Sequence, residues 1–506
     1  MKMKSKILVI LLAFVFGSCE DFLEEKSQSE IRPSTVRDME KILEGEAYFV
    51  AKEGTIFNQG TDIFSDDIQC NMVTEAAAVT QKNKNRYHFI WDKTMFDESG
   101  GGLNISFWQV PYERIKGCNV VLEYIDDMEG NVMKKEHLKG EAYTLRGFYY
   151  LMLVNFFGMP YNYENPRQQP GVPLKLVSGV TDEKFARNNV AECYDQIVQD
   201  LEQGVELMAN NREEKSLKLT RMNYLTGYAL LSRVYLYMEN WDKALAYADS
   251  VLSVKSDLVD LGSITDGGVY HSKTPDEILW AGMNENTGST GVKYPYTVST
   301  DLSTLYSQDV DGGIIDMRGN YNEVDGYMQA TISPVFLKRG RQWVNSAYEY
   351  WVAFISKGDG AVAGVSGGVC NGGIRTAEIY LNRAEVYCRR YIESGDRADA
   401  ERALEDLNIL REHRFKEGYV NKQLEDFGNG EALLAFCLRE RRRELCAEGN
   451  HRWFDLRRLG MPKINHVFLD NSNGHETIYT LEEKDSRYVL PIPEEVIRRN
   501  PNLNKQ

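Results

Sequence analysis

The stretch LKGEAYTLRGFYYLMLVNFFGMPY, Leu138 to Tyr161, constrains this chain most. Its second half is apolar almost all round, the pattern of a helix with no solvent-facing side, and Gly158 and Pro160 stop it. Such a helix has to lie at the centre of a bundle. Its neighbours are legible nearby. ECYDQIVQDLEQGVELM, Glu192 to Met208, puts Ile197, Val198, Leu201, Val205 and Met208 on one stripe with acids and glutamines opposite. ALLSRVYLYMENWDKALAYADSVL, Ala229 to Leu252, carries Ala229, Ala244 and Ala248 where close helix packing around Tyr235 and Trp241 needs small residues, as in a tetratricopeptide hairpin. RTAEIYLNRAEVYCRRYIESGDRADAERALEDLNILREH reads as a second hairpin of that type, and Leu138 to Tyr161 as the core of a third. The fold class implied is mainly α: a helical-repeat scaffold with long loops and a few short strands.

Residues from about Ser253 to Ile374 are rich in Gly, Ser, Asp and Tyr. EILWAGM (Glu277 to Met283) and YEYWVAFIS (Tyr348 to Ser356) read as short strands, and NENTGSTGVKYPYTVST and GDGAVAGVSGGVCNGG as long loops. A connection of this length inside a compact scaffold points to function. Gly358, Gly360 and Gly364 do not make a dinucleotide fingerprint, because the spacing is too long and a βαβ context is missing.

The amino terminus has its own logic. Lys2, Lys4 and Lys6 precede the wholly apolar run ILVILLAFVF, Ile7 to Phe16, which is the pattern of a secretory signal. Ten residues make a helix of about 15 Å, half a bilayer core, so the run is too short to span a membrane. It ends in Gly17-Ser18-Cys19, similar to a bacterial lipobox, in which the cysteine is acylated and becomes the new terminus. Cys19 is therefore the expected lipid anchor, and Glu20, Asp21, Glu24 and Glu25 keep the tether solvated. In some Gram-negative lipoproteins, acids placed there resemble a signal for export to the outer face.

The net charge of −16, more negative once the leader lysines are removed, excludes electrostatic attraction to nucleic acid or anionic lipid. Beyond Cys19 the cysteines Cys70, Cys118, Cys193, Cys370, Cys388, Cys437 and Cys446 form neither a disulfide framework nor a zinc pattern and read as buried small hydrophobes. The histidines show no metal-ligand spacing, and no cofactor is expected. Asp309, Asp311 and Asp316 in DVDGGIID invite calcium but fail the EF-hand spacing, leaving at most a fortuitous site. In RERRRELCAEGNHRWFDLRR, Glu440, Glu444 and Glu448 at four-residue intervals turn an apparently basic helix into an ion-paired one that locks the C-terminal half. Trp91 in YHFIWDK lies among alternating apolar residues and reads as core.

Six segments in order carry a family resemblance: CEDFLEE; FWQVPYERIKGCNVVLEYID with Trp108, Tyr112 and Asn119; KGEAYTLRGFYYLMLVNFFGMPY with Glu141, Arg146 and Gly158; AEIYLNRAEVY with Glu378, Arg383 and Glu385; RRRELCAEGNHRWFDLRRLG with Arg443, Glu444, Glu448, Gly449, Asp455 and Arg457; and YVLPIPEEVIRRNPNL with Pro491, Pro493 and Asn500. Across nearly the whole mature chain the sequence resembles the RagB/SusD family of outer-membrane nutrient-binding lipoproteins. The resemblance implies a SusD-like scaffold: a leader over 1–18, an N-terminal part over 19–252 and a C-terminal part over 253–506, the last two packed as one globular unit. It further implies capture of a glycan, or sometimes a peptide, at the cell surface without catalysis, and delivery to a SusC-type TonB-dependent outer-membrane transporter. By position it places the first ligand segment at Ser65 to Asn83, with Asp67, Gln69, Asn71 and Gln81 as polar candidates and no aromatic residue. Tyr294, Tyr296 and Trp343 are the candidates for stacking on a sugar. From the residues alone two other functions stay open: a secreted glycoside hydrolase, which needs two carboxylates about 5 to 9 Å apart, and a helical-repeat scaffold for other proteins.

Overall fold

The computed structural model describes residues 33–49, 62–73, 76–97, 106–212, 219–263, 275–280, 295–309, 314, 316–319, 337–345, 348–355, 373–416, 418–446 and 448–504; of Ser263, Pro275 and the two segments 337–345 and 348–355 it describes only the backbone. The helices are α1 (Val36–Ile42), α2 (Ala76–Phe89), α3 (Ser106–Tyr124), α4 (Val132–Phe157), α5 (Val190–Asn210), α6 (Tyr224–Tyr237), α7 (Trp241–Leu252), α8 (Thr300–Leu305), α9 (Thr376–Ser394), α10 (Arg397–Glu412), α11 (Gly430–Leu445), α12 (His451–Arg458) and α13 (Glu494–Arg499). The strands are β1 (Ile68–Cys70), β2 (Ile278–Trp280), β3 (Tyr296–Val298), β4 (Leu337–Asn345), β5 (Tyr348–Ile355), β6 (Ile374–Arg375), β7 (Ile464–Leu469) and β8 (Glu476–Leu481). They pair antiparallel as β1–β3, β2–β6, β4–β5 and β7–β8. The chain is mainly α, as expected. Among the described residues no helix is long and apolar enough to cross a membrane.

The all-round apolar segment is α4, which begins at Val132, ahead of the expected start, with Asn131 as its cap. Every residue from Thr144 to Phe157 is buried. A buried helix end leaves carbonyls that water cannot reach, and here each finds a donor. Arg457 donates to the carbonyls of Asn155 and Gly158. Leu490 N donates to Phe156 O at 2.9 Å, and Arg187 to Phe157 O at 2.6 Å. The central helix is thus plugged by distant parts of the chain.

Helices α3 to α7 pack in sequence, and α9 continues the array against α6 and α7 before pairing with α10 and α11. α4 and α5 approach closely at glycines: a Cβ on Gly204 would lie 2.3 Å from Thr144 Oγ1 and 2.8 Å from Gly140 O. The α6–α7 hairpin buries Ala229, Ala244 and Ala248 and stacks Tyr235 on Tyr247 with ring centroids 5.7 Å apart. In the α9–α10 hairpin Gly395 takes the left-handed conformation that ends α9, and the Asp396 side chain caps α10. The described cysteines Cys70, Cys118, Cys193, Cys388, Cys437 and Cys446 are buried free thiols. Trp91 is core, its indole nitrogen donating to Phe64 O at 2.9 Å.

Charge is buried on a large scale. Glu440, Glu444 and Glu448 are ion-paired as expected, but mostly not with their own helix. Glu440 meets Arg318, Arg411 and Arg443; Glu444 meets Arg318, Arg375 and Arg414; Glu448 meets Arg375. Glu277 bridges Arg375 and Arg414. Burial opposes the charge on Glu440, yet the surrounding guanidiniums hold its carboxyl down to about 2. A second buried set joins Arg233 to Glu378, Arg441 to Asp455, and Arg458 to both Glu385 and Asp455.

Removing one charge from such a set leaves its partners buried and uncompensated. Glu444→Gln is expected to lower stability by about 3–5 kcal/mol, read from the urea midpoint. Arg397→Ala, which breaks only the exposed pairs to Glu401 and Glu425, is expected to leave that midpoint unchanged.

Candidate functional site

Within the segment Ser65 to Asn83, a turn at 65–67 leads into β1, and α2 begins at Ala76. β1 lies in register with β3, Gln69 opposite Thr297 and Cys70 opposite Tyr296. Main-chain bonds extend the ladder at both ends: Ser299 N donates to Asp67 O at 2.7 Å, and Asn71 N to Pro295 O at 2.8 Å. Tyr296 donates its hydroxyl to Lys82 O on α2 at 2.8 Å and sets its ring 4.9 Å from Phe89. Asp67, Gln69, Asn71 and Tyr296 therefore come together, and Gln81 follows on α2 beside Lys82. Tyr294 and Cys19 lie outside the described residues. Trp343 stands in β4 opposite Glu349, in a hairpin whose β5 runs beside β3.

Most polar groups here serve the assembly. Asn71 donates to Thr297 Oγ1 at 2.6 Å. Gln69 accepts from Thr300 N at the start of α8 at 3.0 Å and donates to Asn71 Oδ1 at 3.4 Å. Lys82, buried, donates to Asn71 O and Asn471 Oδ1 at 2.8 Å each and to Leu469 O, which ties α2 to β1 and to the β7–β8 hairpin. His466 on β7 is stacked between Phe89 and Trp91, each 4.1 Å away, and its ring nitrogens face Phe89 O and Ser65 O.

Beside the ladder sits a charge cluster drawn from the turn before β1 and from α8, α11 and α12. Arg452 grips Asp66 with two bonds of 2.7 Å. Arg442 on α11 reaches Asp67 and Asp301, each at 2.7 Å. Burial works against the charge on Asp66, but Arg452, with Arg442 behind it, holds the carboxyl down to about 2. Asp67 is more enclosed, and burial pushes its pKa up against the pull of the same arginines. Its Oδ2 is buried without a hydrogen-bond partner.

What faces solvent is a ledge on α2 and β8. Gln81 and Arg86 are exposed on α2. Arg86 donates to the Tyr479 hydroxyl at 2.9 Å, and the Lys82 and Arg86 cations each lie 5.0 Å from the centre of the Phe468 ring. Amide, guanidinium and phenol together can donate to and accept from a hydroxyl-rich ligand. Lys82, Arg86, Arg442, Arg452 and Tyr479 were not singled out from the sequence. Tyr479 had a signal in the β-branched and aromatic run TIYT, whereas Arg442 meets Asp67 across 375 positions, a pairing no local pattern can carry. Two concave grooves lie elsewhere, flanking the α6–α7 turn: one of about 650 Å³ beside Trp241, Arg390 and Asp399, and one of about 600 Å³ beside Glu202, Tyr235 and Lys243.

Among the described residues no group of three or more His, Cys, Asp or Glu is placed to hold a metal ion. Asp309 is held by Arg439 and Arg443, and Asp316 by Arg318, while Asp311 lies outside the described residues.

Comparison with known proteins places this geometry. A family model described as "Starch-binding associating with outer membrane" matches residues 21–236, and the model of the SusD family matches residues 237–506. A SusD-like protein from Formosa agariphila is 23% identical over 297 residues, which is 56% of this chain and about half, 52%, of that relative's length. Among solved structures, a SusD-like carbohydrate binding protein from Bacteroides vulgatus aligns over 93% of this chain and 98% of its own with a TM-score of 0.65 at 21% identity. A SusD superfamily protein from Bacteroides thetaiotaomicron aligns over 93% and 99% with a TM-score of 0.67, also at 21% identity. At such identities the likeness is one of fold.

The Asp66–Arg452 pair gives a signed pH dependence. A carboxyl whose folded pKa is depressed stabilises above its unfolded value and loses that contribution as pH falls through the folded value. The stability difference between the native chain and Asp66→Asn should be complete above about pH 5 and vanish near about pH 2 in urea titrations. A difference that persists at the acid end would show that Asp66 acts through something other than its charge.

Proposed function

Because the chain belongs to the SusD family, we propose that it is a lipid-anchored protein of the outer membrane, facing the cell exterior, which binds a glycan or oligosaccharide and passes it to a SusC-type TonB-dependent transporter. The observation that carries this reading is the match to family models running without a break from residue 21 to residue 506. The signal-like start and Gly17-Ser18-Cys19 supply the anchor through Cys19. The α2–β8 ledge supplies the contact surface, with Gln81, Arg86 and Tyr479 toward the ligand and Asp67, Gln69, Asn71 and Tyr296 holding the strands that carry it. Binding without chemistry fits a site whose carboxylates Asp66, Asp67 and Asp301 are engaged by arginine.

The mature chain from residue 20, titrated calorimetrically against a panel of oligosaccharides, should bind at least one without releasing new reducing ends. Gln81→Ala should weaken that binding about three- to tenfold, the worth of one hydrogen bond, and leave thermal unfolding unchanged. Cleavage of any bound glycan would overturn the reading in favour of a hydrolase. In cells, Cys19→Ala should release the protein from the outer-membrane fraction.

A further inference from the structure

Exposed apolar side chains are not scattered evenly over this protein. Large hydrophobic residues that stand exposed among the described residues number eleven, and six of them, Tyr124, Val132, Met133, Leu176, Val177 and Val180, belong to one end of the α3–α4 hairpin. Val132 is 69% exposed and Val180 89%. Isolated exposed apolar residues are ordinary, whereas a gathering of them marks a surface that meets something.

The hydrogen bonds bring the two groups together. α3 and α4 pack against each other, so Tyr124 at the end of one and Val132 and Met133 at the start of the other share an end. Lys135 fixes that corner by donating to Asp126 O at 2.9 Å. The segment bearing Leu176, Val177 and Val180 is strapped to the same end of α3. Asn119 donates to Lys175 O at 2.9 Å and Val177 O at 3.2 Å, and Glu123 accepts from the Ser178 hydroxyl at 2.7 Å. These bonds hold the strap's backbone in place, which leaves its valines pointing away from the core.

The described chain also begins here. Glu129, in the α3–α4 turn, donates its N–H to Ser34 O at 2.9 Å and accepts from Val36 N at 2.9 Å, and Thr35 pairs with Glu129 as an isolated parallel bridge. Between Cys19 and Pro33 the chain can span at most about 50 Å, at 3.3–3.6 Å per residue. A tether of that reach, attached beside the apolar end, keeps this end within about 50 Å of the surface that holds the lipid.

We infer that the end of the α3–α4 hairpin, with the 174–180 strap, is a membrane-contacting face whose exposed Tyr124, Val132, Met133, Leu176, Val177 and Val180 settle into the interfacial region of the bilayer to which the chain is tethered. This inference rests on the anchored reading of the amino terminus. The contact is made by apolar side chains, since the lysines Lys134 and Lys139 are engaged with Glu40 and Asp126 and the other exposed charges of this corner include Asp127, Glu129, Asp182 and Glu183, which have no attraction for lipid headgroup phosphates. It fixes the orientation of the scaffold on the membrane and is weakly dependent on salt.

The test replaces the natural lipid, so that its outcome does not depend on acylation of Cys19. The chain from residue 20, carrying an amino-terminal histidine tag, is held on phosphatidylcholine vesicles containing a nickel-chelating lipid. Hydrogen exchange is then compared with the same chain in solution. Amides of residues 131–135 and 174–180 are expected to slow about fivefold on the vesicle. A Val132→Ser, Val177→Ser, Val180→Ser variant, bound through the same tag, should lose that slowing. Equal exchange on vesicle and in solution for the native chain would overturn the inference and give this face to a protein partner. Failure of Cys19→Ala to release the protein from membranes in cells would instead bear on the anchor.

Discussion

The structure depends on a lattice of buried arginine–carboxylate contacts at the junction of α9, α10, α11 and the connector that precedes them. Arg318, Arg375, Arg411, Arg414 and Arg443 face Glu277, Asp316, Glu440, Glu444 and Glu448 in a region closed to water. Moving an ion out of water costs several kcal/mol even after relaxation. No member can be buried without the others. The arginines come from four stretches of chain, at 318, 375, 411–414 and 443, so the lattice forms only when the segments around residues 277, 318 and 375 have all arrived against α10 and α11. An irregular connector is thereby made a condition for packing the helices, and the C-terminal half closes as one unit.

A related device works at the centre. α4 is too apolar to tolerate water along its second half, and its carboxyl end is satisfied by Arg457, Arg187 and Leu490 from remote positions. Burial lowers the Arg457 pKa to about 10, the result of spending a guanidinium on main-chain carbonyls. Arg146 joins α4 to α5 through a bidentate grip on Asp200, and Arg221 reaches Glu141 from the far side. The motif residues that carry the family resemblance, Glu141, Arg146, Glu378, Glu385, Arg443, Glu444, Glu448, Asp455 and Arg457, are therefore mostly structural. They secure the scaffold.

This division explains what the sequence revealed. Helix periodicity is local, so α4, α5 and both hairpins were visible in the spacing of Ile197, Leu201, Val205 and the alanines at 229, 244 and 248. The carboxylates Glu440, Glu444 and Glu448 announced ion pairing, but their partners were sought on the same helix, whereas geometry supplies Arg318, Arg375, Arg411 and Arg414 from elsewhere. Residue types named Asp67, Gln69, Asn71 and Tyr296, which β1 and β3 bring together, while side-chain direction stayed hidden. Asn71 and Asp67 turn inward, Gln69 secures α8, and Tyr296 is engaged with Phe89 and Lys82. Gln81 alone of the described polar candidates faces solvent. Strand register decides such directions, and the pairing of β1 with β3 joins segments more than two hundred residues apart.

Buried charges hold the scaffold, and in the proposed reading Gln81, Arg86 and Tyr479 on the α2–β8 ledge meet the ligand. Hydrogen-exchange mapping of the mature chain with and without a bound oligosaccharide tests it most directly. Protection confined to residues 76–86 and 465–481 is the predicted result. Protection centred instead on the groove beside Trp241 and Arg390, with the ledge unchanged, would contradict it.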